Sequence, residues 1–261
     1  IDHRSTAAAW LVRDHTHLSK ELAKRGAALD VFLAAALGEV DRLRELIQSD
    51  PTLINAKTGE GFYGEQPPSS FHIFTWQFGQ AKTSLDVAAM FKQQAALDEL
   101  LKHATPTQKF LAACAMGDRA SAESIMRDQP NIVTALTQGQ QRALPDAGWN
   151  GNAAAVELML DLGFDPTTPG MDTGTVLHCA AWQGHAEIVK SILSDPAGCS
   201  LLINRKEASH NSNAFGWCCH GSINCRNPKG DYGKVARLLK DAGSEIPETM
   251  EASDEVKQAL K

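Results

Sequence analysis

The densest group of metal-binding residue types lies near the carboxyl-terminal end, where Cys218, Cys219 and His220 are followed by Cys225. Zinc in proteins prefers about four Cys or His ligands arranged in a tetrahedron. Neighbouring residues of a helix point about 100° apart, so Cys218 and Cys219 are poorly placed to bind one ion together. The alternative is a set of buried thiols that pack as small apolar groups, and the sequence favours it. We therefore expect no metal and no cofactor.

A second group suggests acid/base chemistry. Asp146 and Asp231 could serve as an acid/base pair, with Trp149 and Trp182 as a stacking platform for a sugar or another small ligand. Nothing in the sequence brings the two carboxylates together, and solvated carboxylates at helix ends are the alternative. The chain also has no phosphate-binding loop, nucleophile elbow, HExxH or dinucleotide motif. No catalytic residue is identified, and the sequence favours a protein that is not an enzyme.

Composition narrows the classes of partner. The chain has 261 residues, 43% of them hydrophobic, and a formal net charge of −6. No stretch approaches the ~20 apolar residues that span a bilayer. An acidic chain with no basic run argues against a nucleic-acid partner. The first residues do not resemble a signal peptide, so the cytoplasm is the default expectation, and the absence of a starting Met leaves a longer polypeptide open.

An internal repeat must position these residues. Its clearest copy runs from Thr175 to Leu193 and contains Leu177-His178, Ala180-Ala181 and Gly184-His185 before an amphipathic stretch. Weaker copies give intervals of 34 residues from Ile125 to Met159 and 33 residues from Met159 to Ile192. This pattern resembles the ankyrin repeat, which has a period of about 33 residues, with Val176 replacing the usual proline.

The resemblance implies an all-α fold, an ankyrin-type solenoid of about six to seven helix-turn-helix pairs that forms a single domain over residues 1–261. Residues 6–26 are interpreted as an N-terminal capping pair, and residues 252–260 as a C-terminal capping helix that begins after Ser253. Two long intervals locate insertions. One is an aromatic loop at 56–82, and the other is a turn at 222–230.

The 56–82 loop holds six of the chain's sixteen aromatic residues. Long loops in compact domains are often functional. Phe71, Phe74, Trp76 and Phe78 partly alternate as in a strand, so one side of the segment is expected to be buried. We expect the loop to fold back and close one end of a binding groove, with a structural role alone as the alternative.

The resemblance also implies where a ligand binds, since ankyrin proteins typically use the concave face built from first helices and hairpin loops. Two tryptophans, Trp149 and Trp182, occupy equivalent positions in successive repeats and should lie close together. They contact a partner or pack under a long loop, and both alternatives stay open. The candidate binding residues are Trp149, Asn150, Trp182, Gln183, Asp146, His220, Phe91, Trp76, Phe74 and His72.

By this resemblance, the expected function is an interaction module that binds a protein through its concave groove. The alternative is a small-molecule or carbohydrate-binding or hydrolysing protein with an aromatic cleft under the 56–82 loop. A third hypothesis is a structural array inside a larger polypeptide.

Overall fold

The computed structural model describes residues 6–59, 72–79, 82–247 and 251–261. The chain forms two compact units, Ile1–Ala115 and Met116–Lys261. All regular elements in the described ranges are helices, as the all-α prediction requires. None of the described helices has the length and apolar character needed to cross a membrane.

The first unit is built from short helices that bury small and aliphatic residues. Every residue of α3 is buried, including three consecutive alanines that allow neighbouring helices to approach closely. The predicted capping segment at 6–26 contains α1 and α2. The bounds of the helices are α1 Ala7–Leu11, α2 Thr16–Lys24, α3 Val31–Leu37, α4 Val40–Ser49, α5 His72–Phe78, α6 Ser84–Met90, α7 Gln94–Leu101 and α8 Pro106–Met116, with a 3₁₀ turn at Pro51–Asn55.

The second unit continues the alternation of first and second helices. Its first helices α11, α13 and α16 pack side by side, and each is followed by a second helix. The bounds are α9 Arg119–Asp128, α10 Gln138–Gln141, α11 Ala143–Trp149, α12 Ala153–Asp161, α13 Val176–Trp182, α14 Ala186–Ser194, α15 Pro196–Leu202, α16 Ala214–Asn224, α17 Tyr232–Asp241 and α18 Asp254–Ala259.

Local chemistry fixes the ends of these helices. The Thr175 hydroxyl and the His178 ring form a capping box at the start of α13, with 2.8 Å between Oγ1 and Nδ1. Gly151 and Gly184 follow the first helices at φ of 72° and 71°, a left-handed conformation that costs glycine nothing. The side chain of Ser253 accepts from the main-chain N–H of Val256 and begins α18 at the predicted position.

The strand-like interpretation of the 56–82 segment is wrong for its described part, because residues 72–78 form helix α5. Phe74 and Phe78 are four residues apart and therefore lie on one helix face, where their rings stack with centroids 5.2 Å apart. Phe74 also contacts Phe32 at 5.4 Å, so this face completes the core of the first unit. Residues 60–71, 80 and 81 lie outside the described ranges.

The second predicted insertion, at 222–230, has a different form from a simple turn. Helix α16 has 11 residues where α13 has 7, so it is about one turn longer and takes in the first three inserted residues, Ser222, Ile223 and Asn224. The connection to α17 begins only after Asn224. The longer α16 and the segment after it lie beside the end of α13 that carries Trp182.

Candidate functional site

Trp149 and Trp182 form the centre of an aromatic row on the first helices of the second unit. Trp149 ends α11 and Trp182 ends α13, and both side chains are half-buried. Their ring centroids are 6.3 Å apart and their planes differ by 16°. The repeat register therefore predicted their proximity correctly.

Two glycines allow the first helices to approach closely enough for this contact. A Cβ at Gly148 of α11 would lie 2.9 Å from Cγ2 of Val176 on α13. A Cβ at Gly221 of α16 would overlap the carbonyl oxygen of Trp182. Because neither position carries a side chain, the three first helices can pack at this short distance.

His220 and Trp217 extend the row onto α16. The exposed imidazole of His220 lies 5.6 Å from the Trp182 ring. The Trp217 ring lies 5.7 Å from the same Trp182 ring, in an edge-on arrangement. We define the aromatic row as Trp149, Trp182 and His220, with Trp217 as its buried support. Trp217 is only 5% exposed, and the sequence analysis did not identify it.

Trp217 is held in place by a buried carboxylate. Its indole Nε1–H donates to Oε1 of Glu207 at 3.5 Å, and Glu207 is 4% exposed. Burial raises the pKa of Glu207, but main-chain N–H donors, first among them His210 and Ser212, outweigh it and hold the pKa below its ordinary value. The carboxylate therefore stays charged and holds the 207–212 loop against α16.

His178 belongs to the same support. Its Nε2 lies 3.1 Å from the carbonyl oxygen of Ser212, and its ring meets the edge of Trp217 at 5.4 Å. Burial lowers the pKa of His178, so the ring is neutral at pH 7. This histidine links the start of α13 to the loop that precedes α16.

The segment after α16 folds back onto the end of α13. The side-chain amide of Asn227 donates to the carbonyl oxygen of Gln183 at 2.9 Å, and Cys225 Sγ lies 3.2 Å from Oε1 of Gln183. The Tyr232 hydroxyl donates to the Trp182 carbonyl oxygen at 3.1 Å and accepts from Asn227 N–H. Gln183, a predicted binding residue, is therefore occupied in holding this segment beside the row.

Asp146 and Asp231, considered above as an acid/base pair or as solvated carboxylates at helix ends, each make local contacts. Asp146 on α11 lies 3.4 Å from Arg142, the residue that precedes this helix, and Asp231 accepts from the main-chain N–H of Lys234 at the start of α17. Asn150, the remaining residue at this end of the row, is exposed. These carboxylates pair or cap locally, which does not support a hydrolytic site.

The candidate residues of the first unit lie in a different environment. Phe74 is 1% exposed and Phe91 packs on Phe78 with 5.4 Å between ring centroids, so Phe74 belongs to the core and Phe91 supports it. Trp76 is 67% exposed on the opposite side of α5. For His72 the structure describes only the backbone, at the start of α5.

The cysteines behave as packing residues. Cys218 and Cys219 are buried, and burial raises the pKa of Cys219 to about 12 and that of Cys218 well above its ordinary value. A thiol that resists deprotonation is a poor metal ligand. Across residues 6–59, 72–79, 82–247 and 251–261, no group of three or more His, Cys, Asp or Glu side chains is placed to hold a metal.

A polar cleft of about 410 Å³ lies elsewhere in the second unit. None of the predicted site residues lines it, and it has no aromatic wall on which a sugar could stack. Its lining residues are Leu136, Gln138, Gln141, Asp165, Thr167, Thr168, Pro169 and Arg205.

Comparison with known proteins agrees with this architecture. The family model of the ankyrin repeat matches residues 174–209. Among solved structures, the human ASB11 ankyrin repeat domain superposes with a TM-score of 0.50 at 17% identity, covering 89% of this chain and 96% of that one. At this identity the likeness concerns the fold alone. No curated protein sequence matches the chain.

Proposed function

We propose that this ankyrin repeat protein binds a protein partner through the aromatic row of its second unit. The observation that carries the proposal is the near-parallel pair of half-buried rings, Trp149 and Trp182, with the exposed His220 beside them. Tryptophan buries a large area for few rotatable bonds and is enriched at binding hot spots. A partner that covers these rings removes apolar surface from water.

The row is also preorganised. Trp182 rests on the buried Trp217, whose indole is held by the Glu207 carboxylate. The close approach at Gly148 and Gly221 fixes the spacing of the helices that carry the rings. Binding then costs little side-chain conformational entropy, and more of the interaction energy contributes to affinity.

A protein fits this surface better than a small molecule. Small-ligand pockets combine apolar walls with a few polar groups that converge on one point. Near the row, Asp146 pairs with Arg142, Gln183 holds the following segment and Asp231 caps a helix. The groups that a sugar would need are already engaged, which favours the interaction module over the carbohydrate alternative.

The proposal is tested by using the wild-type chain, Trp182→Ala and Leu201→Ala as baits in a lysate of the source organism. The protein enriched by the wild type is then purified and titrated against each variant by calorimetry. We expect Trp182→Ala to bind at least about tenfold more weakly, because a hot-spot tryptophan contributes about 2 kcal/mol or more. Leu201→Ala should bind as the wild type does.

Leu201 is the matched control because it is an exposed apolar side chain of the same unit, 54% accessible, on α15 and outside the row. Far-ultraviolet circular dichroism checks that each variant is folded. Equal affinities for the wild type and Trp182→Ala would refute the proposed binding surface.

A further inference from the structure

One residue at the end of the aromatic row has an uncommon backbone conformation. Arg226 follows α16 at φ 49°, in the left-handed region that residues other than glycine rarely adopt. The same position after α11 and α13, the other two first helices of this unit, is Gly151 or Gly184, at φ of 72° and 71°. Such residues are enriched at functional sites. Lys92 has the same conformation in the first unit, so the position of Arg226 beside the row and its charge must carry the inference.

The surrounding contacts place Arg226 beside the row. Its two chain neighbours, Cys225 and Asn227, both contact Gln183, the residue that follows Trp182. The Nε–H of Arg226 donates to the carbonyl oxygen of Ile223, and its two Nη groups make no hydrogen bond within the described part of the chain. The hydrogen-bonded segment thus holds a cation at one end of the aromatic surface.

A second cation lies in the same segment. Lys229 and Arg226 are both exposed, and neither forms an ion pair with a carboxylate among the described residues. The nearest acid along the chain, Asp231, is engaged at the start of α17. A basic residue after a helix also interacts favourably with the helix dipole. The contact between Nε of Arg226 and the carbonyl oxygen of Ile223 is such an interaction with the end of α16. It accounts for the charge of Arg226 but not for that of Lys229.

We infer that the partner presents a peptide segment in which acidic residues adjoin an apolar stretch. The apolar side chains cover Trp149 and Trp182, and the carboxylates face Arg226 and Lys229. This inference rests on the proposed function of the row. Complementary charge determines specificity and association rate, and a chain of net charge −6 needs a local basic segment to attract an acidic peptide.

The probe is a library of short random peptides displayed on phage and selected on the wild-type chain. Selected peptides should be enriched in Asp and Glu next to aliphatic or aromatic residues. The strongest sequence is then synthesised and titrated at low and high salt. Arg226→Gly should weaken it about three- to fivefold at low salt, and adding Lys229→Ala should bring the loss to about tenfold. High salt should reduce both differences.

Arg226→Gly is informative because glycine relieves the left-handed conformation, so the variant should be at least as stable as the wild type. Lys92→Gly is the matched control. Lys92 is exposed and has φ 55° at the corresponding turn after α6, so its replacement removes the same charge and the same strain in the first unit. This control should bind the peptide as the wild type does.

The outcomes separate this inference from the proposed function. Peptides that need Trp182 but show neither acidic enrichment nor a response to Arg226→Gly overturn the inference and leave the function standing. Peptides that bind Trp182→Ala normally, or a selection that enriches nothing, count against both. A single-stranded oligonucleotide that binds the wild type but not Arg226→Gly would overturn the inference, because the partner would then be a nucleic acid and not an acidic peptide.

Discussion

The rings of Trp182 and Trp217 contact each other, but replacing each with alanine should lower the free energy of unfolding by a different amount. Trp217 is 5% exposed and its indole donates to Glu207, so Trp217→Ala leaves a cavity and a weakened hydrogen-bond network. We expect it to lower the free energy of unfolding by about 4–5 kcal/mol. Trp182→Ala should cost about 2 kcal/mol, because its half-buried site opens to water and no closed cavity remains. The main-chain carbonyl that accepts from Tyr232 is also unchanged.

Urea unfolding followed by far-ultraviolet circular dichroism measures both losses on the same protein. The expected difference of about 2–3 kcal/mol is well above the uncertainty of a midpoint comparison, provided that the slopes with denaturant agree. Equal losses for Trp182→Ala and Trp217→Ala would show that Trp182 is a core residue. That result would remove the physical basis of the aromatic row as a binding surface.

Three further predictions concern the support of the row. Gly221→Ala should lower the free energy of unfolding by about 1–3 kcal/mol, because its Cβ would overlap the carbonyl oxygen of Trp182; unchanged urea midpoints would contradict the close helix contact. Tyr232→Phe should cost about 1–2 kcal/mol by the same measurement, since its hydroxyl joins Asn227 to Trp182; a neutral result would show that the segment is held otherwise. Glu207 has a lowered pKa, so its contribution to stability is present above the ordinary pKa of 4.5 and is lost as the pH falls through the folded value. The stability difference between wild type and Glu207→Gln, measured by urea titration at several pH values, should therefore shrink in acid, and a constant difference would contradict this sign.

The parts of the site that the sequence predicted are those that follow the repeat register. Trp149 and Trp182 occupy the same position in successive units, so stacking the repeats brings their rings together whatever the rest of the chain does. The Thr175 and His178 capping box was not predicted, although both residues belong to one helical turn. Local spacing alone determines such features.

Features that depend on distant contacts were not predicted. Phe74 and Phe78 are four residues apart, and this spacing signals a helix only when the buried partner Phe32 is known. Trp217 lies at a register position filled by a small cysteine in the previous repeat, so the pattern gave no reason to place a tryptophan below the row. The added turn of α16 became visible only once Asn213 and Cys225 had been located at its two ends.

Hydroxyl-radical footprinting can locate the binding surface, because it reports the solvent exposure of individual side chains with and without the captured partner. We expect the partner to slow oxidation of Trp149 and Trp182 and to leave oxidation of Leu201 unchanged. Protection of residues elsewhere, with Trp149 and Trp182 oxidised as fast as in the free protein, would contradict the proposed binding surface.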